Sequence, residues 1–134
     1  MLIILRFTAL YPIAHLQSYM PAMLRSNSYD TICHEHIEYY SLGVMEKVMS
    51  AAGLKIIDVS MNNINGGSFA LTCAKQSCSK YPASHAAIKW LLMQEHQMGL
   101  MTPKPFLEFE ERVFKHREKL VSLVRSLVAD GKKV

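Results

Sequence analysis

From Ser41 onward the apolar positions fall into a helical rhythm. Leu42, Met45, Met49 and Ala52 recur at intervals of three and four behind a serine suited to cap a helix, and Gly53 supplies the stop. Leu54 to Val59 is dense in apolar, β-branched residues and predicts a strand. Asn62 to Gly67 is turn-rich and Ser68 to Ala74 predicts a second strand, so the short loop pairs the two antiparallel. Upstream, residues 2–7 read as a short buried strand, and Pro21 opens a brief helix through Arg25 that ends in Ser26-Asn27-Ser28. Tyr29 to His36 follows neither a period of 2 nor one of 3.6. It reads as an irregular connection, the kind of polar segment on a rigid scaffold that carries chemistry.

After Ala74 the pattern changes. Gln76 to Pro82 is polar and reads as a linker, followed by an amphipathic helix over 83–98 with Ile88, Leu91, Leu92 and His96 near one face. Pro103 and Pro105 interrupt the chain and start a longer helix over 105–129. Its apolar stripe is Phe106, Phe109, Val113, Leu120, Val124 and Leu127, and Gly131 ends it. Val134 reads as the first residue of a further strand, and there is no internal repeat.

Composition narrows the picture. With 134 residues, half of them hydrophobic and 19% charged, the chain has enough apolar surface for a real core and is not a disordered tract. The net charge of +4 is spread out, and Lys132-Lys133 is too short for a nucleic-acid patch. Attraction to anionic small molecules, phosphorylated metabolites included, remains open. Three cysteines, Cys33, Cys73 and Cys78, form no CxxC pair and leave one over in any disulfide scheme, which predicts free thiols in a reducing, cytoplasmic setting. The first sixteen residues look superficially like a leader. Arg6 breaks the run from Leu2 to Leu5, Pro12 and His15 follow, and nothing approaches the roughly eighteen apolar residues of a membrane span.

The candidate chemistry lies at His34-Glu35-His36, beside Tyr29, Tyr39 and Tyr40. An imidazole titrates near neutral pH and can take and return a proton. A nearby carboxylate can orient it and stabilise the imidazolium, and tyrosine hydroxyls can donate to an oxygen that becomes anionic. These parts suit proton abstraction from a carbon next to a carbonyl. Neighbours in an extended segment point opposite ways, so only one of the two histidines faces a given pocket, and Glu35 orients a group other than its direct neighbours. Two other readings stand beside this one. His-x-His is a metal-ligand spacing that Cys33 could extend, although one short cluster without a second pair is weak support, so no metal site is assigned. The residue types also fit an incidental histidine-rich surface loop. A second candidate is the Asn62–Ser68 stretch, where Gly66 and Gly67 let backbone amides approach a ligand and Asn65 and Ser68 can bind hydroxyls or phosphate. Taken alone, Asn-Gly there favours a plain hairpin turn.

Read together, Gln17-Ser18-Tyr19-Met20-Pro21, YDTICHEHIEYYSL (29–42), GLKIIDV (53–59) and NGGSFALT (65–72) resemble the sugar C-methyltransferase family. The likeness runs from about residue 17 to the end, and its most specific part is the segment with HEH. The resemblance implies an α/β fold. Residues 16–75 would be the last part of a class I, Rossmann-like methyltransferase domain with an antiparallel strand pair at its sheet edge. Residues 76–134 would be two helices leading into a C-terminal α/β domain, and residues 1–15 an atypical start, a remnant of truncation. It implies S-adenosyl-L-methionine as methyl donor and a nucleotide-linked deoxy-keto-sugar as acceptor, with zinc only in an N-terminal domain outside this sequence. It also implies His36 as general base with Glu35 beside it, and Tyr29, His34, Tyr39, Asn65, Gly66, Gly67 and Ser68 around the acceptor. The sequence departs from the family at Cys33, where tyrosine is common, and at Asn65, where histidine is common. The family's glycine-rich G-x-G-x-G loop is not in this sequence, so the isolated chain is expected to be inactive. The partner expected is a small molecule, with no nucleic acid and no membrane, and self-association is left open. A noncatalytic helical interaction module is the competing reading.

Overall fold

The computed structural model describes residues 12–34, 38–63 and 66–134, and the strand expected over 2–7 lies outside them. Within them the chain is α/β. The predicted strand pair is present as β2 (Leu54–Asn62) and β3 (Ser68–Lys75), antiparallel from Leu54 opposite Lys75 to Asn62 opposite Ser68. A register shift between Ile56 and Asp58 inserts one residue into β2. That bulge decides which side chains face inward. Ile56 and Val59 are three residues apart, which in a regular strand would put them on opposite faces; the extra residue brings both into the core. The bulged Ile57 offers its carbonyl to the amide of Ser84 at 2.6 Å, which fixes the approach of the next helix.

β3 is the middle strand rather than an edge, because β1 (Ile13–Ser18) pairs with its other side, antiparallel from Ile13 opposite Cys73 to Ser18 opposite Ser68. Sequence analysis expected no strand here. In Ile13-Ala14-His15-Leu16-Gln17-Ser18 no apolar alternation marks an inner face, and Leu16 is exposed. The segment is extended because β3 offers it a full ladder of backbone partners, a reason that local pattern does not carry.

The helices follow. α1 (Met20–Ser26) has Pro21 in its first turn and ends at Asn27 in the left-handed region, φ 58°. α2 (Leu42–Ala51) starts at Ser41, whose hydroxyl accepts the Val44 amide at 3.3 Å, as the capping pattern predicts. α3 (His85–Gln97) packs on β2 and α2. One core results, drawing on Tyr19, Leu42, Met45, Phe69, Leu71, Ile88 and Leu91. Burying each of the larger of these side chains contributes roughly 1.5–3 kcal/mol.

Two helical expectations need correction. His96 was placed near the apolar face of α3, but it is exposed and Glu95 occupies the buried position, completing the spacing Ile88, Leu91, Glu95. A carboxylate there is invisible to a hydrophobicity pattern. The long helix α4 (Lys104–Ala129) forms as predicted, but it buries no residue. Phe109, Val113, Val124 and Leu127 are half-buried, while Phe106 and Leu120 are exposed. Among the described residues no helix is long and apolar enough to cross a membrane.

Cys73 lies in the core, and burial pushes its thiol up to about 11. The fold holds the neutral form, so the stability this contributes is complete below the unfolded thiol's pKa of about 8.5. It is lost as pH rises through about 11. Urea midpoints should therefore fall across that window, and Cys73→Ala, though less stable at neutral pH, should show a shallower fall. Equal slopes in the two proteins would contradict this account.

Candidate functional site

The two segments singled out by their chemistry converge on Tyr19 and Met20. The Tyr19 amide donates to the Gly67 carbonyl at 3.0 Å, and the Met20 amide donates to the Tyr40 carbonyl at 2.9 Å. Tyr19 and Tyr40 also form an isolated parallel bridge. The glycine turn before β3 and the far end of the HEH segment are thus tied to adjacent residues of one short connection between β1 and α1.

The near end of the HEH segment meets the same turn. Gly66 (φ 75°) and Gly67 (φ 124°) adopt conformations that disfavour a side chain, and there is no space for one. A Cβ on Gly66 would lie 2.5 Å from the Ser28 hydroxyl, and one on Gly67 would lie 2.5 Å from the Ala22 Cβ. The glycines therefore let the hairpin press against α1 and against Ser28, next to Tyr29. That close approach gives them a reason beyond the turn itself. Ser68 is buried at the start of β3.

Tyr29 opens a short 3-10 turn (Tyr29–Thr31), and its hydroxyl shares a 2.7 Å hydrogen bond with Nδ1 of His116 on α4. The rings meet edge to face at 5.7 Å. Nearby, Arg112 donates to the Leu24 carbonyl at 2.6 Å. A cleft of about 290 Å³ lies between α1 and α4, lined by Leu24, Arg25, Met98, Pro105, Glu108 and Arg112. Tyr39 is half-buried and donates to the Thr31 carbonyl at 2.8 Å, which folds the two described ends of the segment onto each other. The Tyr40 hydroxyl donates to the Glu38 carboxylate. His34 and Cys33 are exposed. Glu35, His36 and Asn65 lie outside the described residues. Of the candidate residues described, Gly67 is tied to Tyr19 and presses on Ala22 of α1, Gly66 abuts Ser28 beside Tyr29, Tyr39 returns to Thr31, and Ser68 starts β3. Among the described residues no group of three or more His, Cys, Asp or Glu side chains is placed to hold a metal ion.

What holds this frame is a residue that sequence reasoning passed over. Glu95 Oε1 accepts the Tyr19 hydroxyl at 2.9 Å and the Leu42 amide at 2.5 Å, and Oε2 accepts the Gly43 amide at 2.9 Å. Leu42 and Gly43 are the first residues of α2, whose amides have no partner within the helix, and a carboxylate there is also favoured by the helix dipole. Gly43 permits this approach, since a Cβ would lie 3.3 Å from Oε2. Burial first, then the charge and hydrogen bond of Glu95, push the Tyr19 hydroxyl well above the ordinary tyrosine range, so it stays a neutral donor. Its ring packs edge-on against Phe69 at 5.1 Å. The one available signal was a glutamate at the third position of an i, i+3, i+7 apolar row.

Comparison with known proteins adds to this geometry. The C-methyltransferase C-terminal domain family matches residues 63–134. The C-methyltransferase NovU of Streptomyces niveus is 33% identical over 116 residues, which is 87% of this chain and 27% of that protein. The chain therefore spans just over a quarter of the length of this relative.

Proposed function

Because the chain belongs to the C-methyltransferase C-terminal domain family, we propose that it serves the acceptor side of an S-adenosylmethionine-dependent C-methyltransferase acting on a carbon next to a ketone. In this reading residues 16–75 complete a Rossmann-like methyltransferase domain, residues 76–134 begin a C-terminal α/β domain, and residues 1–15 are an atypical start. The acceptor is a small cytoplasmic molecule, a nucleotide-linked deoxy-keto-sugar. His36 takes the proton from its acidic carbon and Glu35 orients the acceptor. Tyr29, His34 and Tyr39 with the turn Asn65 to Ser68 hold the rest. Hydroxyl donors such as Tyr29 and Tyr39 would steady the oxygen on which negative charge develops. The observation that supports this most is the convergence at Tyr19 and Met20. One connection fixes both the glycine turn and the end of the segment that carries the proposed base.

The methyl donor supplies an electrophilic methyl when bound, but the described residues do not fit it. Nucleoside cofactors of α/β folds sit beyond the carboxyl ends of parallel strands. Here β1, β3 and β2 are antiparallel, and no G-x-G-x-G loop occurs in the sequence. The work of this chain's own residues is therefore on the acceptor. The isolated 134-residue chain is expected to bind S-adenosylmethionine far more weakly than micromolar in calorimetry, and micromolar binding would contradict this division.

The proposal is tested by replacing the matching segment of the Streptomyces niveus enzyme with residues 17–134 and measuring methyl transfer to that enzyme's acceptor. Transfer above that of the enzyme lacking the segment is expected. A folded, cofactor-binding chimera that transfers nothing would overturn it. A second reading, a noncatalytic interaction module, is favoured by one feature, the apolar side chains of α4 that stay exposed.

A further inference from the structure

α4 reaches back to the candidate site through one face, on which Arg112 and His116 stand one helical turn apart. Arg112 donates to the carbonyl of Leu24, in the last turn of α1, where carbonyls have no partner within the helix. His116 meets Tyr29 through the 2.7 Å bond between Nδ1 and the hydroxyl, with the rings edge to face at 5.7 Å. The backbone of Tyr29 is set by its own neighbours. Its amide donates to the Asn27 carbonyl at 2.9 Å, and its carbonyl accepts the Ile32 amide at 3.0 Å. Its side chain is set from 87 residues away, since among the described residues His116 is the hydrogen-bond partner of its hydroxyl.

Stability gives this bond little to do. His116 is exposed and Tyr29 half-buried, and where water can replace a lost partner a hydrogen bond adds little to folding. Its effect on position is larger. A tyrosine ring has several staggered orientations about χ1, each carrying the hydroxyl to a different place, and the contact with His116 selects one of them. A hydroxyl has one proton and two lone pairs, so Tyr29 can hold His116 and still meet a second group. For Tyr29 to donate to an acceptor oxygen, its own oxygen must accept from His116, with the proton on Nδ1. A donor to a developing anion works only where the charge will appear, and a misplacement of about 1 Å can cost about 10²-fold in rate.

We propose that His116 is a positioning residue of the acceptor site, acting through the Tyr29 hydroxyl. This rests on the reading that Tyr29 faces the acceptor, and it makes α4 a working part of the site.

In the full chain, Tyr29→Phe should shift the nitrogen NMR resonance of His116 Nδ1. An unmoved resonance would mean that the pair does not form, and would overturn the proposal whatever the catalytic outcome. In the chimera carrying residues 17–134, Tyr29→Phe should lower kcat about 10²-fold, the lower end for one donor to a developing anion. His116→Phe keeps a ring but not the bond, and should lower kcat about tenfold with affinity for S-adenosylmethionine unchanged. His116→Asn should recover most of that loss, because its amide stands close to where Nδ1 stood. His116→Phe combined with Tyr29→Phe should be no slower than Tyr29→Phe alone, since the histidine acts only through that hydroxyl. A His116→Phe chimera as fast as the parent, an asparagine variant no faster than the phenylalanine one, or a double variant clearly slower than Tyr29→Phe would each overturn the proposal. His36→Ala, run alongside, separates the two readings: if it costs the transfer and His116→Phe does not, only the role of His116 fails. A parent chimera without transfer removes the acceptor reading, and this inference with it.

Discussion

In the chimera carrying residues 17–134, His36→Ala should lower methyl transfer by about 10²–10⁴-fold, the range that a positioned general base of the kind proposed above contributes. Affinity for S-adenosylmethionine stays as in the parent chimera. The two readouts should separate because the proposed base acts on the acceptor and not on the cofactor. Removing an interaction made only as the proton leaves lowers kcat and kcat/KM together. His34→Ala provides the internal comparison. It is exposed, and its expected role is to hold the acceptor, so its loss should raise KM more than it lowers kcat. If His36→Ala turned over as fast as the parent, His36 would not be the base. If cofactor affinity collapsed with it, the effect would be one of folding.

Glu95→Ala should be strongly destabilising, at about 3 kcal/mol or more by urea unfolding. The carboxylate is buried and serves three donors: the Tyr19 hydroxyl and the Leu42 and Gly43 amides. Alanine leaves all three without that partner, and each buried donor deprived of its acceptor costs roughly 1–3 kcal/mol, less where water can enter. Against a total stability of about 5–15 kcal/mol, such a loss removes roughly a fifth to three-fifths of the margin. Glu95→Gln should cost less, because its amide oxygen can still accept from Tyr19 and Leu42 while its NH2 now faces the Gly43 amide. Tyr19→Phe should cost least, about 1 kcal/mol, since the carboxylate keeps both helix amides. Should Glu95→Ala unfold within about 0.5 kcal/mol of the parent, the size of an ordinary surface change, the α2 amides would have to be satisfied in another way.

Both variants bear on the same frame. Tyr19 and Met20 join the glycine turn to the returning end of the HEH segment, and Glu95 links Tyr19 to the start of α2 immediately beyond it.

Local periodicity was enough for α2, with Ser41 as cap and Gly53 as stop, and for the β2–β3 hairpin, α3 and α4. In each, the pattern repeats within a few residues of its own neighbours. Resemblance to a family marked out the HEH segment, and the family model itself matches residues 63–134, beyond that segment. Three features were decided only in three dimensions. β1 exists because β3 has a free edge to pair, the bulge at Ile57 sets which face of β2 is buried, and Glu95 reads as one more surface glutamate until its partners arrive from positions 19, 42 and 43. The physical reason is common to all three. Apolar spacing records how a residue relates to its near neighbours, whereas a backbone ladder or a buried carboxylate is satisfied by groups far away in the chain, and their approach exists only once the fold has formed.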